Sequence, residues 1–380
     1  MPLMVPTGLS DGPHLAAVLP SSLAAMRGER NELRLPPLRS MIVALIDGLG
    51  ASDLRAHRGH ARAMSEAMGA RSTARTGGPT TTASALASLT TGCAPGEHGI
   101  VGYSTLDESS DRVVNQLSGW GTGSVDPTSW QRRSTLFETA GVRSVVVASP
   151  RYADSGFTRA VLRGAEYIGV SAVADRFAVA ADLVRTGEPT LVYLYVPELD
   201  MTAHASGTAS ARWVAGLEEL DAAVARTVPS LGPSAGLLMT ADHGMVTIEP
   251  EGRIVIPAGS ELLDGVRHVA GEPRVLHLHL ESDARPGAAD ALADLWRGTE
   301  RGRAWVMTRE EAIGAGLFGP VDAEVRPRIG DVVVAARGAV AYYDERTATD
   351  GSLGMVGQHG SFTAEEREIP LLRFGAARPA

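Results

Sequence analysis

Short runs of almost wholly apolar residues punctuate the chain: "MIVALI" (41–46), "SVVVAS" (144–149), "TLVYLYV" (190–196), "GLLMTA" (236–241), "VLHLHL" (275–280) and "DVVVAA" (331–336). Each is shorter than an ordinary helix and rich in Val, Ile or Leu, so each reads as a strand buried on both faces. Between the first four lie segments with helical periodicity, at 52–68, 131–140, 171–186 and 208–228. Strands alternating with helices predict an α/β fold, a mainly parallel sheet sandwiched by helices. Residues 1–37 read as a Pro-containing leader packed on a main domain at 38–380. Within that domain, about 246–357 reads as a smaller strand-rich insertion before a closing strand, "IPLLRF".

The chain's 380 residues are enough to bury a large core. Its formal charge is −9, and it holds no Lys, so all 35 basic residues are Arg. Without a basic cluster, an acidic chain is not expected to bind polymeric nucleic acid, which requires phosphate neutralisation. The absence of Lys also removes a P-loop, and "DGLGASD" after the first strand lacks the third glycine of a dinucleotide fingerprint. Cys93 is the one cysteine, which excludes an internal disulfide and a Cys-based zinc cluster. No run reaches membrane-spanning length, and "MPLMVPTGLSDGPHLAAVLP" lacks a basic start followed by a continuous apolar stretch. The expectation is a soluble, cytoplasmic protein.

Open α/β sheets gather function at the carboxyl ends of their strands. Asp47 follows "MIVALI"; Asp200 and His204 follow "TLVYLYV" in "PELDMTAH"; Asp242 and His243 follow "GLLMTA" in "DHGM"; His359 precedes the last strand in "GQHG". Any one of these has a bland explanation, such as a helix cap for Asp47 or an i,i+4 surface pair for Asp200 and His204. Independent caps, however, have no reason to recur as Asp-His pairs at two strand ends, and a metal site explains all six. Imidazole and carboxylate suit zinc, and manganese is the other ion such donors accept. Two ions, one on Asp47, Asp242 and His243 and one on Asp200, His204 and His359, would flank an in-line phosphoryl displacement. His98 reads instead as a turn residue, and His277 and His279 in "LHLHL" as one face of the inserted sheet.

"GGPTTTASALASLTTG" (77–92) adds three threonines at the start of a helical run. A Thr there is either an N-cap or a nucleophile that needs a metal or base to activate it, beside free backbone N–H groups that hold phosphate.

In their order, "IDGLG", "TTTASALASLTTGCAPGEHGI", "PELDMTAH", "TADHG" and "GQHG" resemble the alkaline phosphatase superfamily, in its nucleotide pyrophosphatase/phosphodiesterase branch, over about residues 41–374. Matching "TG" to Thr91 and Gly92 and "HGI" to His98, Gly99 and Ile100 puts the nucleophile on Thr82, with Thr81 as runner-up. The resemblance implies two zinc ions, one held by Asp47, Thr82, Asp242 and His243 and the other by Asp200, His204 and His359. It further implies a phospho-threonine intermediate on Thr82 and a small-molecule phosphate diester or pyrophosphate as substrate. Two positions depart from the branch's nucleotide-cleaving members. Where those carry an aromatic residue and an Asn, this chain has Ala83 and Ala85, which leaves a backbone N–H or Tyr103 to hold the phosphate oxygen. No Arg lies inside the metal motifs, which favours diesters over monoesters. Phosphomonoester or phosphonate hydrolysis on the same site is the alternative, and a non-catalytic metal-stabilised binding protein a remoter one.

Overall fold

A computed structural model describes residues 6–8, 12–121, 125–185 and 187–379. Positions 1–5 and 9–11 of the leader and Thr186 of the 171–186 segment lie outside the described residues.

The six apolar runs all become strands. The central sheet holds β1 (Ser40–Ile46), β2 (Thr73–Arg75), β3 (Arg143–Ala148), β4 (Glu166–Gly169), β5 (Thr190–Val196) and β6 (Ala235–Thr240). The inserted sheet holds β7 (Val266–Glu272), β8 (Val275–Leu280), β9 (Ala304–Thr308) and β10 (Val332–Ala336), and β11 (Glu368–Gly375) returns to the central sheet. Central order is β2-β11-β6-β1-β5-β3-β4, parallel from β6 to β4, with β11 antiparallel to β6 and to β2. All seven residues of β1 are buried, as a middle strand covered on both faces requires.

The expected α/β architecture, a mainly parallel sheet sandwiched by helices, is thus present. Strand β1 lies between β5 and β6, with Ile46 beside Val196 and Leu45 beside Thr240. The carboxyl ends of these three neighbours carry Asp47, the "PELDMTAH" segment and Asp242. Strands β2 and β4 had no apolar signature, because short edge strands are held by pairing and need not be buried on both faces.

Two helical segments are shorter than their periodicity predicts. The 52–68 segment splits at Gly59 into Ala51–Ala56 and Arg62–Glu66, and the second piece is capped from a distance, Asp221 accepting the N–H groups of Ala63 and Met64. Only Leu136–Thr139 of 131–140 is helical, started by a Thr135/Glu138 capping box. Before it, the Gln131 amide donates to the Ala160 carbonyl and the Arg132 N–H to that of His98, so these residues serve tertiary contacts. Helices Val173–Arg185 and Ala211–Thr227 follow the pattern closely.

Leu15, Val18, Leu19 and Leu23 of the leader are buried in the main core. Strands β7-β8-β10-β9 form an antiparallel sheet whose Leu276, Leu278, Val332 and Val334 bury Trp296 of the helix Ala288–Thr299. Among the described residues no helix is long and apolar enough to cross a membrane.

Candidate active site

The chain turns sharply after β1. Gly48 has φ +70°, and a Cβ there would lie 3.0 Å from the Cα, Cβ and Oδ1 of Asp200. Its N–H donates to Asp242 Oδ1 at 3.1 Å, as does the His243 N–H at 3.0 Å. Glycine therefore lets the turn after β1 approach the residues that follow β5 and β6.

Six predicted side chains converge there. His243 Nε2 lies 3.5 Å from Asp47 Oδ1 and 3.4 Å from Asp242 Oδ2. His204 Nε2 lies 3.4 Å from Asp200 Oδ1 and 3.2 Å from His359 Nε2. The donor atoms of Asp200, His204 and His359 all fall within 4.8 Å of one another, and so do those of Asp47, Asp200 and His243. Asp200 thus stands between the two groups, whereas the sequence had paired it with His204 and His359 alone. The rings of His243 and His359 stack with centroids 3.6 Å apart.

Hydrogen bonds fix each imidazole's tautomer. Nδ1 of His204 meets the Gly357 carbonyl at 2.8 Å, that of His359 the Thr80 carbonyl at 2.8 Å, and that of His243 the Gly244 carbonyl at 3.1 Å. A carbonyl only accepts, so Nδ1 carries the proton in all three rings and every Nε2 lone pair faces the shared space. Asp200 Oδ1 and Asp242 Oδ2 are buried with no hydrogen-bond partner. Burial pushes Asp200 up to about 8 and Asp242 to about 7, each helped by a neighbouring carboxylate. Asp47 is raised for the same two reasons, against the Tyr195 hydroxyl that donates to it. Burial also lowers His243 to about 4 and His359 well below its ordinary value. Lone pairs aimed at one another, orphaned carboxylate oxygens and mutually repelling acids fit a site built for cations.

The three threonines divide their work. Thr80 ties down the turn bearing His359: its hydroxyl donates to the Ser361 carbonyl at 2.8 Å and accepts the Gly360 N–H at 3.1 Å. Thr81 holds the N-cap position of the helix Thr82–Thr91, yet its side chain makes no cap hydrogen bond. Thr82 Oγ1 lies 3.2 Å from His243 Nε2 and 3.5 Å from Asp47 Oδ1. The Ala85 N–H bonds the Thr81 carbonyl, and the N–H groups of the first turn before it, beside Thr82, have no intrahelical acceptors.

Tyr103 is 37% exposed and lines a 690 Å³ cavity together with Glu272. Ala83 and Ala85 are buried; Ala83 packs with Ile100, Val125 and Trp120, so the position after Thr82 belongs to the core. His98 donates from Nε2 to Ser88, and its Nδ1 accepts the Ile100 N–H, a structural role in the turn. His277 and His279 are buried on β8. Cys93 is half-buried and free.

Sequence reasoning missed Tyr195, Thr80 and Glu272. Tyr195 sits in an apolar run where nothing distinguishes a core tyrosine from one that reaches an aspartate. Glu272 comes from β7, and its Oε2 lies 3.7 Å from His359 Nδ1.

A profile of type I phosphodiesterases/nucleotide pyrophosphatases matches residues 41–362. The chain belongs to this family. It is thereby a member of the alkaline phosphatase superfamily, and its Asp/His groups fit the divalent-metal site of a phosphoryl-transfer hydrolase. No curated protein matches the sequence. Among solved structures, phosphonoacetate hydrolase from Sinorhizobium meliloti 1021, in complex with phosphonoformate, is similar at 20% identity over 90% of this chain and 91% of that one, with a TM-score of 0.68. Murine ectonucleotide pyrophosphatase/phosphodiesterase 5 is similar at 18% identity over 87% of each chain, with a TM-score of 0.64. The human form matches at 16% over 88% of each, also at 0.64. At such identities the likeness shows a shared fold.

Proposed function

We propose that this family member is a two-metal phosphodiesterase in which Thr82 is the nucleophile. One observation carries the reading: the Thr82 hydroxyl stands at an uncapped helix N-terminus and within 3.5 Å of both His243 and Asp47. Asp47, Thr82, Asp242 and His243 would hold one ion and Asp200, His204 and His359 the other, zinc being the ion best suited to three imidazoles and three carboxylates. Bound there, zinc would supply Lewis acidity and favour an ionised Thr82 oxygen.

The chain's own residues do the rest. First-turn N–H groups bind a non-bridging phosphate oxygen, the role an Asn would otherwise fill. Carbonyl acceptors on Nδ1 keep the three rings oriented, and Tyr195 holds the outer oxygen of Asp47. Thr82 Oγ bonds to phosphorus as the ester oxygen departs and leaves as an alcohol with one proton. Water then cleaves the phospho-threonine, returning the Thr82 hydroxyl and releasing the remaining phosphomonoester.

Charge supports a diester substrate. Two dications are balanced by three carboxylates and an ionised Thr82, which suits a singly charged phosphate. Arg274 is the arginine that acts electrostatically on His359, and it is tied to Glu366 and to the carbonyls of Gly338 and Val340, so it is not free to meet a terminal phosphate. Ala83 and Ala85 favour a second reading, phosphonate cleavage, because the position after Thr82 carries no aromatic side chain to stack a nucleobase. Initial rates of the zinc-loaded protein on bis-p-nitrophenyl phosphate, p-nitrophenyl phosphate and phosphonoacetate separate these readings. Diester preference supports the proposal, phosphonoacetate turnover moves the chain to the second reading, and zinc binding without turnover of any leaves a metal-stabilised binding protein.

A further inference from the structure

Glu272 is an acid beside the metal groups that the proposed ligand sets leave unused. It ends β7, and its side chain is 6% exposed. Oε2 lies 3.7 Å from His359 Nδ1, whose proton goes to the Thr80 carbonyl; Oε1 is buried with no hydrogen-bond partner. Burial pushes the Glu272 carboxyl well above its ordinary range, opposed by the nearby Thr81 hydroxyl, which does not reach full hydrogen-bond geometry. The main chain is shaped around this carboxyl: at Gly360, φ +133°, a Cβ would lie 2.6 Å from Glu272 Cγ and 2.7 Å from its Cδ. Arg274, two residues on, acts on Glu272 electrostatically, but its hydrogen bonds go to Glu366 and two carbonyls. A buried acid without a partner is costly, and this one is held behind a metal-binding imidazole.

We propose that Glu272 is a positioning residue for the second metal group: its carboxylate, on the far side of the His359 ring from Nε2, strengthens that nitrogen as a ligand and packs against the turn at 359–360 beside the Thr81 hydroxyl. The Thr80 carbonyl takes the ring N–H and orients the ring, and a carboxylate 3.7 Å behind it raises the ring's basicity through space. Cations in the site favour the ionised form of an acid that burial alone would neutralise. The inserted sheet, which supplies no ligand, thereby sets the affinity of the ion held by Asp200, His204 and His359. This inference rests on the metal reading above and not on the identity of the substrate.

Zinc titration of the chelator-stripped, full-length protein against a chromophoric chelator tests it. Glu272→Gln keeps the shape and removes the charge; one of the two zinc affinities falls about 10–100-fold while the other holds, and the metal-free thermal midpoint does not drop. Glu272→Ala shows the same affinity loss with a lower midpoint from lost packing. A merely structural role would move the midpoint and spare the affinity of Glu272→Gln. Wild-type affinity at both sites in Glu272→Gln overturns the inference. A wild type that takes up zinc but hydrolyses no ester or phosphonate sinks the proposed activity alone, and one that takes up no zinc sinks both.

Discussion

Arg274 and Glu366 form an ion pair whose side chains are both 0% exposed, and breaking it provides a demanding test of how the His359 turn is supported. The guanidinium donates from Nε and Nη2 to the two carboxylate oxygens at 3.0 and 2.7 Å and from Nη1 to the carbonyls of Gly338 and Val340. Glu366 also accepts the Ser361 N–H at 2.9 Å and the Thr363 hydroxyl at 2.8 Å, so the pair joins the start of β8 to the residues just after His359. Arg274→Met leaves a buried carboxylate with two donors and no counter-charge, a loss of about 3–5 kcal/mol. Glu366→Leu strands the guanidinium and costs a similar amount. The double variant removes both charges and leaves the Ser361 N–H and two carbonyls short of partners, about 1–3 kcal/mol each if nothing relaxes. Those partners are already lost in the single variants, the carbonyls with Arg274 and the Ser361 N–H with Glu366, so the double variant adds no new orphan and removes the stranded charge; it should cost clearly less than the two single changes together, with a coupling of about 3 kcal/mol, the top of the range seen for contacting residues. Urea unfolding of the metal-free protein, run as a double-mutant cycle, measures this. Additive losses, or a loss below about 1 kcal/mol for Arg274→Met, would refute the argument that this pair carries the turn.

Thr82→Ala should abolish turnover while zinc remains bound, whereas Thr81→Val should retain turnover within a few-fold; the reverse result in paired steady-state assays would move the nucleophile to Thr81. Gly48→Ala puts a Cβ at φ +70° and 3.0 Å from Asp200, so it should cost about 1–2 kcal/mol from backbone strain alone and weaken zinc uptake, read by thermal melting and metal titration. For the metal-free protein, Asp200 near 8 and Asp242 near 7 bind protons more tightly folded than unfolded, which makes stability fall as pH rises through those values. His243, lowered to about 4, acts oppositely but only below its unfolded value near 6.5, so between pH 6.5 and 8 the carboxylates dominate. Thermal midpoints should therefore decline across that window without metal, and the gain from added zinc should grow; a flat or rising metal-free profile would contradict this. Chelation at pH 8 should abolish turnover, with zinc restoring it.

Periodicity alone located every central strand that is buried on both faces, since such strands must be apolar throughout. It also found the six Asp and His residues, because strand-end positions next to apolar runs are readable without coordinates. Edge strands β2 and β4 were illegible, as pairing and not burial holds them. The threonine run shows the division most clearly. Sequence spacing brought three hydroxyls to one helix start, but Thr80 bonding to Gly360 and Ser361, Thr81 facing Glu272 and Thr82 facing His243 are relations between positions up to 281 apart in the chain. Likewise Asp200 was legible as a candidate ligand from its place after β5, while its position between both groups depends on how closely the Gly48 turn lets the strand ends approach. Local pattern determined which residues reach the rim of the sheet; long-range packing, chiefly the inserted hairpin carrying Glu272 and Arg274, decided their distances and partners, because those contacts leave no periodic trace in the chain.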